Sequence, residues 1–216
     1  MSEESTKVGA EHFRYIAEHT TREDVFLAEL KKAATAAGIP PIWIAPEQAS
    51  FMQILLRTAG AKEVVEVGTL AGYSAIVMAR ALPAGGRVRT IEIEPKHAAF
   101  AREWAAKSNA AGKIEVHLGG GMDILPKFET HSADAAFLDA DKRSYPKYLD
   151  QAVRIVRPGG LILVDNALAF GQLLDPNPTD REVPAVRAFN DLMAAREDLQ
   201  SVIVPIGDGL WVGVRR

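Results

Sequence analysis

Short apolar runs alternate with longer stretches of helical periodicity through the middle of the chain. The runs predict β-strands over 63–67, 87–91, 113–116, 135–138 and 161–164. The intervening stretches predict helices over 72–82, 95–110, 122–129 and 144–156. Two of these helices are introduced by proline, which is favoured in a first helical turn. Strands and helices in strict alternation are typical of a parallel sheet covered by helices on both faces.

The pattern differs at the two ends of the chain. Two helices, roughly 9–37 and 46–59, precede the first strand, and the second opens at Pro46. After a helix near 182–195, two β runs over 201–206 and 210–214 are joined by Gly207-Asp208-Gly209, which predicts a hairpin. The predicted fold is therefore an α/β, Rossmann-like, doubly wound and mostly parallel seven-stranded sheet that ends in an antiparallel hairpin.

Length and composition fit one globular domain. The chain has 216 residues, of which 48% are apolar and 25% charged, close to the averages for a domain with a full core. We expect residues 1–216 to form a single domain, with 1–45 as an N-terminal helical segment that acts as a lid or an interface. The first seven residues are polar and acidic and predict a frayed terminus without a secretory leader.

Charge and residue usage exclude several functions. The absence of cysteine excludes disulfides, thiolate nucleophiles and cysteine-bound zinc. No apolar run approaches the roughly 20 residues that cross a bilayer, so we expect no membrane partner and a cytoplasmic protein. The formal net charge is −3 and the basic residues are scattered, which disfavours nucleic acid and favours a small-molecule substrate.

A glycine-bracketed turn follows the first predicted strand. It runs from Glu66 through Gly68 and Gly72 to Ser74 and opens a helix, where open α/β sheets bind their ligands. The turn lacks the middle glycine that lets a backbone approach a pyrophosphate, and it has no P-loop lysine. Glu66 beside it favours a cation over an anion. S-adenosylmethionine (SAM), which has a ribose, an adenine and an ammonium but no phosphate, fits this turn.

Glu92 supports a nucleoside cofactor. It follows the second strand and lies 92 − 68 = 24 residues after Gly68, near the roughly 20-residue offset of a ribose-binding acid. The alternative is that the glycine turn is only a connection and Glu92 a solvated residue. The two features together at this spacing favour the cofactor site.

Polar side chains also follow the fourth and fifth strands. Asp139, Asp165 and Asn166 would open on the same crevice as the glycine turn. Two carboxylates and an amide suit a hard divalent cation, Mg²⁺ or Mn²⁺, with Ca²⁺ as an occupant in crystals. The alternative is that the two acids cap helices and that Asp141 and Lys142 form a solvated ion pair.

These motifs together resemble a known enzyme family. The stretches 66–74, 137–142, 157–160, 165–166 and 207–209 are similar, in order, to the cation-dependent O-methyltransferases of the caffeoyl-CoA and catechol type. The likeness covers nearly everything from Pro46 onward. It implies a SAM-dependent methyl transfer to a phenolic hydroxyl, and a homodimer.

The resemblance also implies roles for individual residues. Asp139, Asp165 and Asn166 would bind the metal, and Lys142 would be the general base. Glu66 would face the methionine moiety of SAM, Met122 would line the adenine pocket, and Ala45 would approach the active site. The remaining cofactor contacts would be Gly68, Tyr73, Ser74, Glu92 and, beside its metal role, Asp139.

One segment departs from the family pattern. After Asp165 and Asn166 the family has an apolar stretch with a tryptophan, whereas this chain has Ala167-Leu-Ala-Phe170-Gly. The departure puts the acceptor in doubt more than the reaction. The leading hypothesis is Mg²⁺-dependent methylation of a catechol-like phenol. The alternatives are methylation of a hydroxylated tRNA base and a non-catalytic SAM-binding module.

Overall fold

The structure is a computed structural model, and it describes residues 8–216. The frayed terminus expected for residues 1–7 lies outside this range. The strands are β1 (Glu63–Val67), β2 (Arg87–Glu92), β3 (Ile114–Leu118), β4 (Ala133–Leu138), β5 (Val156–Val164), β6 (Leu199–Val204) and β7 (Leu210–Arg215). The helices are α1 (Ala10–His19), α2 (Val25–Ala36), α3 (Pro46–Thr58), α4 (Tyr73–Ala81), α5 (Pro95–Lys107), α6 (Gly121–Ile124), α7 (Tyr145–Ile155) and α8 (Val183–Ala194).

The strands form one sheet in the order β3-β2-β1-β4-β5-β7-β6. The first five are parallel, and β7 lies antiparallel between β5 and β6. This arrangement confirms the predicted mostly parallel, seven-stranded sheet with a terminal antiparallel hairpin. Because β1 and β4 are neighbours while β2 and β3 extend the other way, the strand order reverses between β1 and β4, and open sheets bind ligands at such a reversal.

Successive residues along each strand pack alternately into two hydrophobic clusters, one on each face of the sheet. Val64 and Phe137 face a cluster that includes α2, α3 and α4, while Val65 and Leu138 face a second cluster that includes α7 and α8. Successive strand residues point to opposite faces, and both faces are covered, so the strands are apolar on both sides. Helices on both faces confirm the doubly wound architecture.

The single helix predicted over 9–37 is wrong, because residues 20–24 divide it into α1 and α2. Thr20 is extended and its hydroxyl bonds back to the carbonyl of Ile16 at 2.7 Å. Asp24 caps α2 by accepting the N–H of Leu27 at 3.0 Å. Helix α1 has no buried residue, whereas α2 packs into the core through Leu30 and its neighbours. A lid or interface role for this segment stays a prediction.

The helix predicted over 122–129 is also shorter than expected. Helix α6 spans four residues and passes into a 3-10 turn over Leu125–Lys127. Pro126 in that turn has no N–H to continue the α-helical bonding, which explains the early end. Within residues 8–216, no helix has the length and apolar character needed to cross a membrane.

Asp134, at the start of β4, ties three segments together at the amino edge of the sheet. Its carboxylate accepts the N–H groups of Lys62 and Glu63 at 2.7 and 2.9 Å and the Arg157 Nε at 2.7 Å. Partial burial acts to raise the pKa of Asp134, but these hydrogen bonds outweigh burial and hold the pKa below its ordinary value.

We expect Asp134→Asn to lower the free energy of unfolding by about 1–3 kcal/mol at pH 7, the value of hydrogen bonds to a charged group. A depressed pKa stabilises the fold above the unfolded pKa and loses that effect as pH falls through the folded one. The difference between the two proteins should therefore shrink below about pH 4. Urea unfolding at several pH values measures it. Asp191→Asn, an exposed change on α8, is the control; a difference independent of pH would contradict the assignment.

Candidate active site

The carboxyl ends of β1, β2, β4 and β5 open on one cavity of about 740 Å³. Its lining contains two groups of residues, which we call its two ends: the glycine turn (68–74) with Glu92 and His97, and the set Asp139, Lys142, Asp165 and Asn166. Segments distant in sequence close it: Lys31 from α2, residues 42–46, Phe170, and the hairpin turn at 207–208. The size suits a small-molecule ligand.

Gly68 sets the distance between the two ends of this cavity. Its φ is +98°, and a Cβ there would lie 1.9 Å from the carbonyl oxygen of Asp139. The end of β1 therefore touches the end of β4 backbone to backbone, which only glycine permits. Gly72, the N-cap of α4, has a φ of +82° in the same left-handed region and packs against Ala101. The glycine turn is thus held directly against the strand end that carries Asp139.

Glu92 is built into the glycine turn. Its Oε2 accepts the N–H groups of Thr69 and Leu70 at 3.2 and 2.7 Å, and its Oε1 accepts the N–H of Glu94 at 2.9 Å. The residue is buried and lines the cavity. The alternative of a solvated Glu92 is therefore wrong. Leu70 has a left-handed φ of 50°, and the bond to Glu92 helps to hold it there.

Glu66 does not line the cavity and lies behind Ser74, which does. It is fully buried, and Ser74, which lines the cavity, donates its hydroxyl to Glu66 Oε1 at 2.5 Å. The other oxygen, Oε2, has no hydrogen-bond partner in the described part of the chain. Burial, aided by the charges of Asp139 and Glu92, raises the pKa of Glu66 to about 8. A cation near Ser74 would relieve this cost.

Two acids meet at the other end of the cavity. Asp139 and Asp165 follow the neighbouring strands β4 and β5, and Asp165 Oδ1 accepts Gln48 Nε2 at 2.7 Å. Burial first, and the charge of Asp139 second, raise the pKa of Asp165 above its ordinary value. Among residues 8–216, no three His, Cys, Asp or Glu side chains are grouped to hold a metal. A cation here would therefore depend on two carboxylates and an amide.

Asn166 supplies that amide. It has a left-handed φ of 64°, and its Nδ2 donates to Asp208 Oδ2 at 3.0 Å. The amide oxygen, which is the atom that could bind a cation, is therefore the one not committed to Asp208. Neither Asp139 nor Asp165 caps a helix among the described elements, so the capping alternative is wrong.

Lys142 is buried beside these acids. Its Nζ donates to Asp139 Oδ1 at 3.1 Å and to the hydroxyl of Tyr145 at 2.7 Å. Burial and the surrounding charges hold the pKa of Tyr145 well above its ordinary value, so the phenol stays protonated. The alternative of a solvated Asp141–Lys142 pair is wrong, because Asp141 instead accepts the hydroxyl of Tyr148 at 2.7 Å.

Some of the remaining predicted site residues line the cavity and one does not. Ala45, the N-cap of α3, lines the cavity, and so does Tyr73. Met122 does not line it, since it lies half-exposed on α6. Its adenine contact stays a prediction.

Several residues that line the cavity could not be given a role from the sequence. Gln48 reads as an ordinary helical residue, although it is buried and bonded to Asp165. Asp208 lies inside a motif that resembles the family, but nothing in the sequence gives it a role. Lys31 and Trp43 carry no motif; the Lys31 ammonium lies 4.6 Å from the ring centroid of Tyr73. Only His97 could have been placed at the cavity from its position in the sequence, because it comes soon after Glu92.

Fold and site together define a class of protein. A glycine turn with a buried acid, at the strand-order reversal of a parallel sheet, belongs to α/β enzymes that bind a nucleoside cofactor. Residues 17–216 match the O-methyltransferase family, and the chain belongs to that family. The resemblance inferred from the motifs is confirmed, and so is the reaction class.

Relatives cover most of the chain. A catechol O-methyltransferase of Niastella koreensis is 39% identical over 193 residues, which is 88% of this chain and 87% of the relative. The structure of an O-methyltransferase from Bacillus cereus in complex with SAH has a TM-score of 0.85 at 32% identity and covers 95% of this chain and 97% of that one. The O-methyltransferase TomG from Streptomyces achromogenes, solved with SAM, has a TM-score of 0.82 at 32% identity, covering 95% and 96%.

The raised pKa of Glu66 predicts a pH effect on the ligand-free protein. The folded state binds this proton more tightly than the unfolded state, so stability should fall as pH rises from about 4.5 towards 8. Glu66→Gln removes the titration. The free energy of unfolding of wild type minus that of the variant should then decline with a slope of up to about 1.4 kcal/mol per pH unit. Thermal or urea unfolding at pH 5, 6.5 and 8 measures this; parallel profiles would show that Glu66 is ionised throughout.

Proposed function

We propose that the protein transfers a methyl group from SAM to a hydroxyl of a small vicinal diphenol, with a divalent cation, Mg²⁺ or Mn²⁺, bound beside the acceptor. One observation carries the proposal. A nucleoside-type subsite, built on Glu92 and the glycine turn, shares a cavity with Lys142 and the oxygen-rich end formed by Asp139, Asp165 and Asn166.

The choice of SAM as donor is supported by the charge of the nucleoside end. Glu92 offers a buried carboxylate for ribose hydroxyls, and Glu66 behind Ser74 favours a positively charged group. A pyrophosphate would meet these same charges unfavourably. Two relatives carry SAM or SAH in their structures. Bound SAM would supply an activated methyl group on a sulfonium.

The residues at the polar end fit a divalent cation. Their ligand atoms are carboxylate and amide oxygens, the donors that Mg²⁺ and Mn²⁺ prefer. The buried Asp165 close to the charge of Asp139 is costly without a neutralising partner, as its raised pKa shows. Asp139, Asp165 and Asn166 would hold the ion, which would supply positive charge next to an ionising hydroxyl.

Lys142 is placed to accept the proton of the acceptor hydroxyl at Nζ. The ammonium so formed is stabilised by the carboxylate of Asp139 and by the hydroxyl of Tyr145, which accepts a hydrogen bond from it. Because Lys142 begins a short 3-10 turn four residues after the end of β4, its amine is held close to the strand end and not by a long loop. Such a fixed base removes the need to order a water molecule for proton transfer.

An aromatic acceptor is supported by the walls of the cavity. Ile42, Trp43 and Phe170 line it with apolar and aromatic surface. Phe170 occupies the segment in which the family carries tryptophan, and it remains 40% exposed. The aromatic ring at this part of the wall is therefore smaller than in the family pattern.

An assay with methyl-labelled SAM and a panel of catechols, with and without Mg²⁺, tests the proposal. We expect label in the organic product with Mg²⁺ or Mn²⁺, a loss of turnover with excess chelator, and recovery when the metal is restored. Monophenols serve as the acceptor control, since they lack the second oxygen. Full activity in chelator would contradict the cation, and label transfer to a tRNA but to no phenol would contradict the acceptor.

Lys142→Met tests the base. We expect turnover of a catechol to fall about 10²–10⁴-fold, the usual contribution of a positioned base, while SAM affinity measured by calorimetry stays unchanged. Lys147→Met, the same change at an exposed position on α7, is the matched control. Turnover of the Lys142 variant within a few-fold of wild type would show that another group takes the proton.

A further inference from the structure

The turn between β6 and β7 is pressed against the segment that follows β5. We call residues 166–171 the clasped segment. Its N–H groups at Ala167 and Leu168 donate to the carbonyls of Gly209 and Asp208, each at 2.9 Å. A Cβ on Gly209 would lie 2.6 Å from Leu168 Cγ and 2.9 Å from Leu168 N. Glycine at this position therefore lets the two loops touch.

The clasped segment adopts a conformation that L-residues rarely take. Asn166, Ala169 and Phe170 have φ values of 64°, 53° and 59°. None of them is glycine, and left-handed backbone at a bulky residue persists only where the surroundings enforce it. Such conformations concentrate at ligand sites, and here two of the three residues, Asn166 and Phe170, line the cavity.

One carboxylate oxygen binds both of those residues. Asp208 Oδ2 accepts Asn166 Nδ2 at 3.0 Å and the N–H of Phe170 at 2.8 Å. The first bond fixes which way the amide of Asn166 is turned, and the second fixes the backbone that carries the aromatic wall. Asp208 thus connects the metal end of the cavity to the acceptor wall.

We propose that Asp208 is a positioning residue: it turns the amide oxygen of Asn166 towards the cation and sets the place of Phe170 against the acceptor ring. The inference rests on the proposed function, because it concerns the same cation and acceptor. Partners behind a metal ligand orient it and commonly change metal affinity 10–100-fold. The role requires an acceptor oxygen at the position of Oδ2, and it does not require the negative charge.

Gly207, the residue before Asp208, packs against a second residue near the polar end of the cavity. A Cβ on Gly207 would lie 2.1 Å from Gln48 Oε1, and Gln48 donates to Asp165. The hairpin turn therefore contacts Gln48, which holds the proposed ligand Asp165. Asp208 in the same turn holds the proposed ligand Asn166. A displacement of the turn would disturb both.

Two substitutions separate position from charge. Asp208→Asn keeps an oxygen that can accept both hydrogen bonds and removes the charge, whereas Asp208→Glu keeps the charge and moves the oxygen by one methylene. Asp191→Asn, exposed on α8, is the matched control. Mn²⁺ affinity is measured by electron paramagnetic resonance on protein saturated with SAH. The ratio of meta to para methylation of a substituted catechol is the second measurement.

We expect Asp208→Asn to bind Mn²⁺ within about threefold of wild type and to keep the product ratio, and Asp208→Glu to bind it about tenfold or more weakly and to change the ratio. The opposite order would show that the charge itself matters, as for a direct ligand, and would overturn the inference. Equal, wild-type behaviour in both variants would overturn it too.

SAH affinity checks the fold of each variant, since the nucleoside end lies across the cavity. If Asp208→Glu fails this check, Asp208→Ala, which removes the acceptor without adding bulk, takes its place with the same expected loss. Wild-type protein that binds no Mn²⁺ would contradict the proposed cation, and the inference with it. Wild type that binds Mn²⁺ while the variants behave alike would contradict the role of Asp208 alone.

Discussion

The backbone contact between Gly68 and the carbonyl of Asp139 is the constraint on which the site depends. With no side chain between them, the ends of β1 and β4 approach to a distance that any Cβ would forbid. The glycine turn and the strand end that carries Asp139 and then Lys142 are thereby fixed against each other. The spacing between the two ends of the cavity is therefore set by the sheet, and sheets are stiffer than loops.

The burial of acidic side chains is the second organising feature of the site. Glu66, Glu92 and Asp165 are all buried, and they are stabilised to different degrees. Glu92 accepts three backbone N–H groups, whereas Glu66 accepts one hydroxyl and Asp165 accepts one amide and has a neighbouring acid. The raised pKa values of Glu66 and Asp165 mark the two places where the protein alone does not neutralise its acids. Those places are where a sulfonium cofactor and a metal ion would bring positive charge.

Much of this site could be predicted from the sequence, because parallel strands bring their carboxyl ends to one edge. Knowing only that Gly68, Glu92, Asp139 and Asp165 each follow a strand was enough to place them in one crevice. Gln48 and Asp208 could not be assigned a role in this way, since their partners lie 117 and 42 residues away and depend on the packing of α3 and the hairpin. The division of the first helix was missed although residues 20–24 are all polar and Asp24 is a good capping residue.

The insertion of β7 between β5 and β6 has a consequence for biosynthesis. Strands β1 to β5 can pair as soon as they leave the ribosome, but β5 keeps an open edge until β7, which follows α8, β6 and the turn at Asp208, has been made. An unpaired edge strand is a site of misassociation, so the nascent chain carries that hazard throughout this interval. Because the same turn completes the polar end of the cavity, the chain gains its last site residue only at the stage when it loses its exposed edge.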